Sequence, residues 1–297
     1  MPADLPPREA RLSLLAVDRH VEFTLGDPAL RVLIDANFGA MRVARPARPP
    51  DLSYSEIHTG RKPSFLLAAP GDENLDAQNP SELLWLVEKH LTVALQRARP
   101  DLLFLHSAAV EWDGRAFLMV AASGTGKSTM TWALLHHGFR YLSDELSPVD
   151  VAALRVHPYQ HALCLKQRLP APYLLPDDAL DLGRTLHVPA QSLPTSIATH
   201  PRRLAGIFIL ERSGSSSRPR LQCVGRAEAA ARVYSNALNP LAHENLGLDA
   251  TLRIVEALPC FLVSLGDLVS TCALVRDTAV AAVPASMRSE LAWSGIC

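Results

Sequence analysis

The chain has 297 residues, enough for two domains or one large one at roughly 150 residues per domain. Its 48% apolar and 20% charged residues, without a biased tract, exclude disordered, collagen-like and coiled-coil architectures and indicate a globular protein. Lys plus Arg total 29 against 30 for Asp plus Glu, a net charge of -1, so no global positive field exists to hold nucleic acid or an anionic membrane, and neither partner is expected.

Residues 1–100 read as a small α+β module. Strand-like runs Leu12–Val17 and Val21–Leu25 precede a mixed segment, Ala29–Val43, and the proline-arginine stretch Ala44–Pro50 reads as an exposed polyproline-like connector. Pro80 opens a helix at the position where its missing N–H costs nothing, and Leu83, Leu84, Val87, Leu91 and Leu95 recur at helical spacing until Pro100 ends it. Two strand-like runs follow, Leu102–Trp112 and Arg115–Ala121. They are separated by Asp113-Gly114, a pair that readily adopts the positive φ of a type I′ hairpin turn.

The second of these strands leads directly into a glycine-bearing loop and an amphipathic helix that runs to His137, with Gly138 as its stop. A strand Arg140–Ser143 delivers Asp144-Glu145, and the proline-rich region Pro148–Pro201 predicts long loops and short strands. Beyond it come a strand (Leu204–Leu210), a Ser/Gly/Arg loop (Ser213–Pro219), a short strand, helices Ala227–Leu238 and Ala250–Leu258, strand Cys260–Leu265 and helix Leu268–Ala282. A tail follows from Pro284, so the expected organisation is 1–100, 101–283 and 284–297. The five cysteines include no CxxC pair and are odd in number, which predicts reduced thiols rather than a disulfide framework or a zinc site. Met1–Arg11 is polar and proline-bearing, and nowhere do 18 apolar residues run together, so a cytoplasmic protein is expected.

Chemistry is concentrated in Ala121-Ala122-Ser123-Gly124-Thr125-Gly126-Lys127-Ser128-Thr129. A P-loop works because backbone N–H groups, exposed by glycines and aimed from a helix N-terminus, wrap the phosphates of a nucleotide. Ala122, Ser123, Gly124, Thr125, Gly126, Lys127, Ser128 and Thr129 are the expected nucleotide contacts, with the Lys127 ammonium on the β/γ-phosphates and the Ser128 hydroxyl on Mg²⁺. The first glycine of the usual pattern is replaced by Ala121, a small side chain. There is no Asn-Lys-x-Asp guanine box and no Leu-Ser-Gly-Gly signature.

Three segments carry a family resemblance: Leu105-His106-Ser107-Ala108-Ala109-Val110, Ser123–Ser128, and Leu142-Ser143-Asp144-Glu145. His106 stands 21 residues before Lys127 and Asp144 17 after it. This layout resembles the C-terminal catalytic domain of HPr kinase/phosphorylase, and the wider arrangement is most similar to the group called HPr kinase-related kinase A. The resemblance implies an α/β P-loop kinase domain of the HPr kinase and PEP carboxykinase-like type, with a mixed sheet and an antiparallel hairpin before the P-loop. It further implies ATP and Mg²⁺ as cofactors, His106 as an active-site histidine and a homo-oligomer. The family's Ile-Arg-Gly-Leu-Gly-type stretch is replaced by Ala162-Leu163-Cys164-Leu165-Lys166-Gln167, which argues against HPr as the substrate and against a reverse phosphorylase reaction.

In-line phosphoryl transfer needs charge neutralisation, a bridging metal and a carboxylate to deprotonate the acceptor hydroxyl. Asp144 is the candidate general base and Glu145 the candidate Mg²⁺ ligand, with the two roles exchangeable. Lys166, Glu211 at the end of a Walker B-like strand, and Arg212 are weaker candidates, and Arg202 and Arg203 weaker still. The expected function is an ATP-dependent kinase acting on a hydroxyl, a serine of a protein or peptide or a small molecule. The alternatives are a nucleotide-sensing module and a partner-coupled ATPase.

Overall fold

A computed structural model of the chain describes residues 10–57, 65–212 and 218–282. The first two strands, β1 (Ala10–Ala16) and β2 (Arg19–Leu25), pair across a tight turn whose two central residues, Val17 and Asp18, have φ of 50° and 59°. Helix α1 (Pro28–Phe38) follows, then β3 (Leu52–Ile57) parallel to β2, and β4 (Phe65–Ala69) and β5 (Glu73–Ala77) as an antiparallel edge. The connector 44–50 is largely exposed, as expected, and is tied down by Arg45 bonded to Glu22 at 2.7 Å.

Helix α2 (Pro80–Ala98) starts where Asn79 accepts the Glu82 N–H and the Glu82 carboxylate accepts the Gln78 N–H, both at 2.9 Å. Its Leu83, Leu84, Val87, Leu91 and Leu95, the face marked out by spacing, are all buried. That face shares one core with the five-stranded sheet and with Leu102, Phe104, Leu146 and Tyr159 from farther along the chain.

The second sheet has nine strands and mixed pairing. Here the expected run Leu102–Trp112 divides into β6 (Leu103–Leu105) and β7 (Ser107–Trp112). The break falls at His106, because the chain changes neighbours there: β6 bonds to β10 (Ser147–Asp150), whereas β7 bonds to β8 (Arg115–Val120) and β9 (Arg140–Ser143). The β7–β8 hairpin turns at Asp113 and Gly114 with φ of 48° and 75°, the conformation the sequence predicts. Between β8 and β9 lies α3 (Lys127–His136), and Gly138 has the left-handed φ of 91° expected of a helix stop.

After β11 (Arg155–Val156), the proline-rich region builds a small sheet from β12 (Leu163–Leu165), β13 (Leu180–Asp181) and β14 (Leu186–Val188). The long strand β15 (Arg202–Arg212) runs parallel to β8 on one side and to β17 (Cys260–Leu265) on the other, with β16 (Arg220–Cys223) antiparallel to β17. Helices α4 (Arg226–Tyr234), α5 (Leu248–Ala257) and α6 (Leu268–Ala282) complete the mixed α/β fold.

Helix α4 ends four residues before the expected Leu238. The segment after it leaves the helix to bond to the break before β7, with the His106 N–H on the Asn236 carbonyl at 2.7 Å and the Leu238 N–H on the Phe104 carbonyl at 2.8 Å. Cys164, Cys260 and Cys272 are free thiols, as expected of them. Most of the Ser213–Pro219 loop and the tail from Pro284 lie outside the described residues. Among the described residues no helix is long and apolar enough to cross a membrane.

Candidate active site

Strands β8, β15 and β17 are mutually parallel, and β9, antiparallel to β7, runs with them. Their carboxyl ends therefore open on one rim of the sheet, the place where α/β sheets hold ligands. The loop Ala121–Gly126 leaves β8 at this rim, Asp144 leaves β9, Arg212 ends β15, and Gly266 follows β17.

The loop takes its shape from Gly124 and Gly126, with φ of 78° and 120°. A Cβ at Gly124 would meet nothing within 4 Å and one at Gly126 only the Leu265 Cδ1 at 3.9 Å, so backbone conformation rather than crowding calls for glycine at both. Lys127 opens α3 and is buried, its Nζ donating to the Ala121 carbonyl at 3.1 Å. Burial pulls its pKa below the ordinary lysine value, opposed by the charges of Asp144 and Glu145. Arg212 donates to the Gly124 carbonyl at 2.6 Å, bracing the loop from the neighbouring strand.

The Asp144-Glu145 pair does not continue as a strand. Glu145 has φ of 63° and the Leu146 N–H bonds back to the Asp144 carbonyl at 2.8 Å, the pattern of a rare and strained γ-turn. Two histidines hold that turn by its carbonyls: His161 Nε2–H on Asp144 at 2.7 Å and His106 Nδ1–H on Glu145 at 3.2 Å. As a result the two acids face different surroundings. Glu145 is exposed, while Asp144 is fully buried, with neither carboxylate oxygen hydrogen-bonded. Burial, and then the charge of Glu145, push the Asp144 pKa up to about 7, although Ser128 and Lys127 stand close enough to favour its ionised form. His106 is pulled below the ordinary histidine value by burial and by the charge of Lys127.

A cavity of about 490 Å³ opens over this arrangement, lined among others by His106, Lys127, Ser128, Glu145, Lys166 and Arg212. Ser123, Gly124, Thr125, Gly126 and Thr129 complete the loop side of its wall. A second cleft, of about 680 Å³, flanks the loop and contains Ala122, sharing His106, Ser123, Thr125 and Arg212 with the first. The fold thus brings His106 against Glu145, 39 positions on, and draws Lys166 and Arg212 from farther along the chain onto the same wall.

The weaker candidates divide. Lys166 lies on the wall of the Lys127 cavity. Glu211 lines the other cleft, where it accepts from Ser264 Oγ at 3.1 Å and faces Arg232 at 3.7 Å. Arg202 is bonded to buried Glu111 at 2.7 Å, at the end of β15 remote from the loop, and Arg203 shares that end. His161 was not singled out by the sequence reading. It comes from the proline-rich region, where no spacing rule connects a histidine to Asp144.

No family model matches the chain, and no curated protein does. Among solved structures it is similar to the HPr(Ser) kinase/phosphatase from Coxiella burnetii, with 12% identity and a TM-score of 0.32, over 60% of this chain and 97% of that one.

Proposed function

We propose that this chain is an ATP-dependent phosphotransferase that moves the γ-phosphoryl group to a hydroxyl acceptor, a serine of a protein or peptide or a small-molecule alcohol. The observation that carries the reading is the single cavity holding a buried lysine at a helix N-terminus, a glycine loop with unhindered backbone, a histidine and an acid at a strained turn. MgATP, when bound, would supply the phosphoryl group and a metal charge that offsets the negative charge of the polyphosphate.

The first-turn N–H groups of α3 have no intrahelical acceptor, and with the Gly124–Gly126 backbone they suit a polyphosphate. Lys127 would exchange its bond to the Ala121 carbonyl for phosphate oxygens. Asp144, buried beside Ser128 with both oxygens unsatisfied, suits a share of the metal. Glu145 lines the cavity and suits the proton-accepting role toward the acceptor hydroxyl. This exchanges the two carboxylate roles first assigned from sequence. His106, donating through Nδ1 to the turn, keeps Nε2 as an acceptor nitrogen.

The test is incubation of the pure protein with γ-labelled ATP, Mg²⁺ and a source-cell extract, beside Asp144→Asn and Lys127→Ala controls. Proteins are resolved on a gel and small molecules by thin-layer chromatography. Label in an acceptor, reduced by two to four orders of magnitude (roughly 10²–10⁴-fold) in both variants, is the expected result. Label released only as free phosphate would favour an ATPase, and tight ATP binding without turnover a sensor.

A further inference from the structure

Beside the cavity, whose wall Cys164 alone of the three reaches, three side chains from distant segments converge with the donor types of a transition-metal centre. Glu88 of α2, Cys164 of β12 and His187 of β14 bring a carboxylate oxygen, a sulfur and an imidazole nitrogen within 4.8 Å of one another. Cys164 Sγ lies 3.6 Å from His187 Nε2, and Glu88 Oε1 lies on the side of the other ring nitrogen, 3.8 Å from Nδ1. Bond lengths of roughly 2.0 Å to nitrogen and 2.3 Å to sulfur set a ligand separation of about 3.5 Å at tetrahedral zinc.

An outer partner is already in place. Asn37 Oδ1 accepts from His187 Nδ1–H and Asn37 Nδ2 donates to Glu88 Oε1, both at 2.9 Å. Asn37 is itself buried, and its carbonyl takes the Ala162 N–H at 2.7 Å, two residues before Cys164. This fixes the histidine tautomer and leaves the Nε2 lone pair facing the Thr185 hydroxyl at 3.0 Å, as second-shell groups do for metal-bound imidazoles. Sγ stands almost equally far from Nδ1, at 3.7 Å, so loading turns the imidazole about χ2 and exchanges the Thr185 bond for a metal bond. Cys164 and Thr185 both line the cavity, which gives an ion its entry path and a water its place as fourth ligand.

We propose that Glu88, Cys164 and His187 form a zinc site that ties α2 to the small β12-β14-β13 sheet. A thiolate and a carboxylate cancel the charge of a divalent ion, and thiolate with imidazole selects zinc over magnesium. The site does not depend on the phosphotransfer reading.

The full chain, stripped with a chelator, is titrated with Co²⁺ and then Zn²⁺. The expected result is one cobalt per chain with tetrahedral visible absorption and a thiolate-to-metal charge-transfer band. Zinc displaces the cobalt, excess Mg²⁺ does not, and the band is lost in Cys164→Ser. Asn37→Ala weakens the metal affinity roughly 10- to 100-fold. His187→Gln serves as a second ligand variant, and circular dichroism of the metal-free proteins verifies that each is folded. Absence of the charge-transfer band in the wild type, or its persistence in folded Cys164→Ser or His187→Gln, overturns the site.

Discussion

Full burial, and then the charge of neighbouring Glu145, push the Asp144 pKa up to about 7, and this has consequences for stability. The folded-state pKa of about 7 lies above the ordinary aspartate value, so the native state holds a proton that the unfolded chain releases. Stability from this group is therefore full below the unfolded pKa of about 4 and declines as pH rises toward 7. Asp144→Asn removes that penalty, so the stability of the variant relative to wild type should rise between pH 5 and pH 8, by an amount on the order of 2–4 kcal/mol. Urea denaturation at the two pH values checks it, and a flat difference refutes the assignment. On the proposed reading, in which Asp144 shares the metal and a ligand must be deprotonated, the apparent Mg²⁺ affinity in phosphotransfer should strengthen as pH rises to about 7 and level off above it. Initial rates against Mg²⁺ at several pH values measure this.

The loop between β8 and α3 shows how a short stretch of backbone sets the chemistry of a whole cavity. Gly126→Ala meets no atom closer than 3.9 Å yet must adopt a φ of 120°, so its cost is conformational, about 1–3 kcal/mol, taken as stability or as a reshaped loop. Calorimetric titration with ATP should show weakened binding together with a lowered melting point, and unchanged values of both would argue that the glycine is dispensable. Helix α2 is governed by its cap and its face instead. Asn79→Ala removes the acceptor for the Glu82 N–H and should cost about 1 kcal/mol, read from urea denaturation. Leu91→Ala, within a face packed against the first sheet, should cost about 2–5 kcal/mol by the same measurement. Pro80, the spacing of the leucines and Asp113-Gly114 all acted locally, which is why α2 and the β7–β8 hairpin were legible as written. The end of α4 was not, since the contacts that stop it lie on β6 and at His106.

The nine-stranded sheet is tied together at the end away from the loop by Glu111, buried on β7 and bonded to Arg140 of β9 at 3.0 Å and Arg202 of β15 at 2.7 Å. Both arginines keep partial access to water, so the loss on Glu111→Gln should fall below the range for a fully buried pair, at about 2 kcal/mol. A thermal melt of a variant this far from the cavity should show the loss with ATP affinity unchanged. The N-terminal module also meets the rest of the chain through polar contacts: Asn37 of α1 and Glu88 of α2 reach the small β12-β14-β13 sheet, and His157, just after β11, faces Asp18 of the β1–β2 turn at 3.0 Å.

Elements whose causes are local can be read from the residues alone: the capped helix with its leucine face, the Asp-Gly hairpin, and the strand, glycine loop and helix around Lys127 and Ser128. The sequence also marked His106, Asp144 and Glu145 as candidates, through their distances from Lys127 along the chain. The burial of Asp144 and exposure of Glu145 emerge from the folded arrangement, because that division follows from a turn held by His106 and His161 and cannot be read from two adjacent acids. That arrangement likewise places Glu211 in another cleft and makes Glu88, Cys164 and His187 converge. Residues on three separate elements leave no spacing in a sequence; only the packing of those elements brings their donor atoms together.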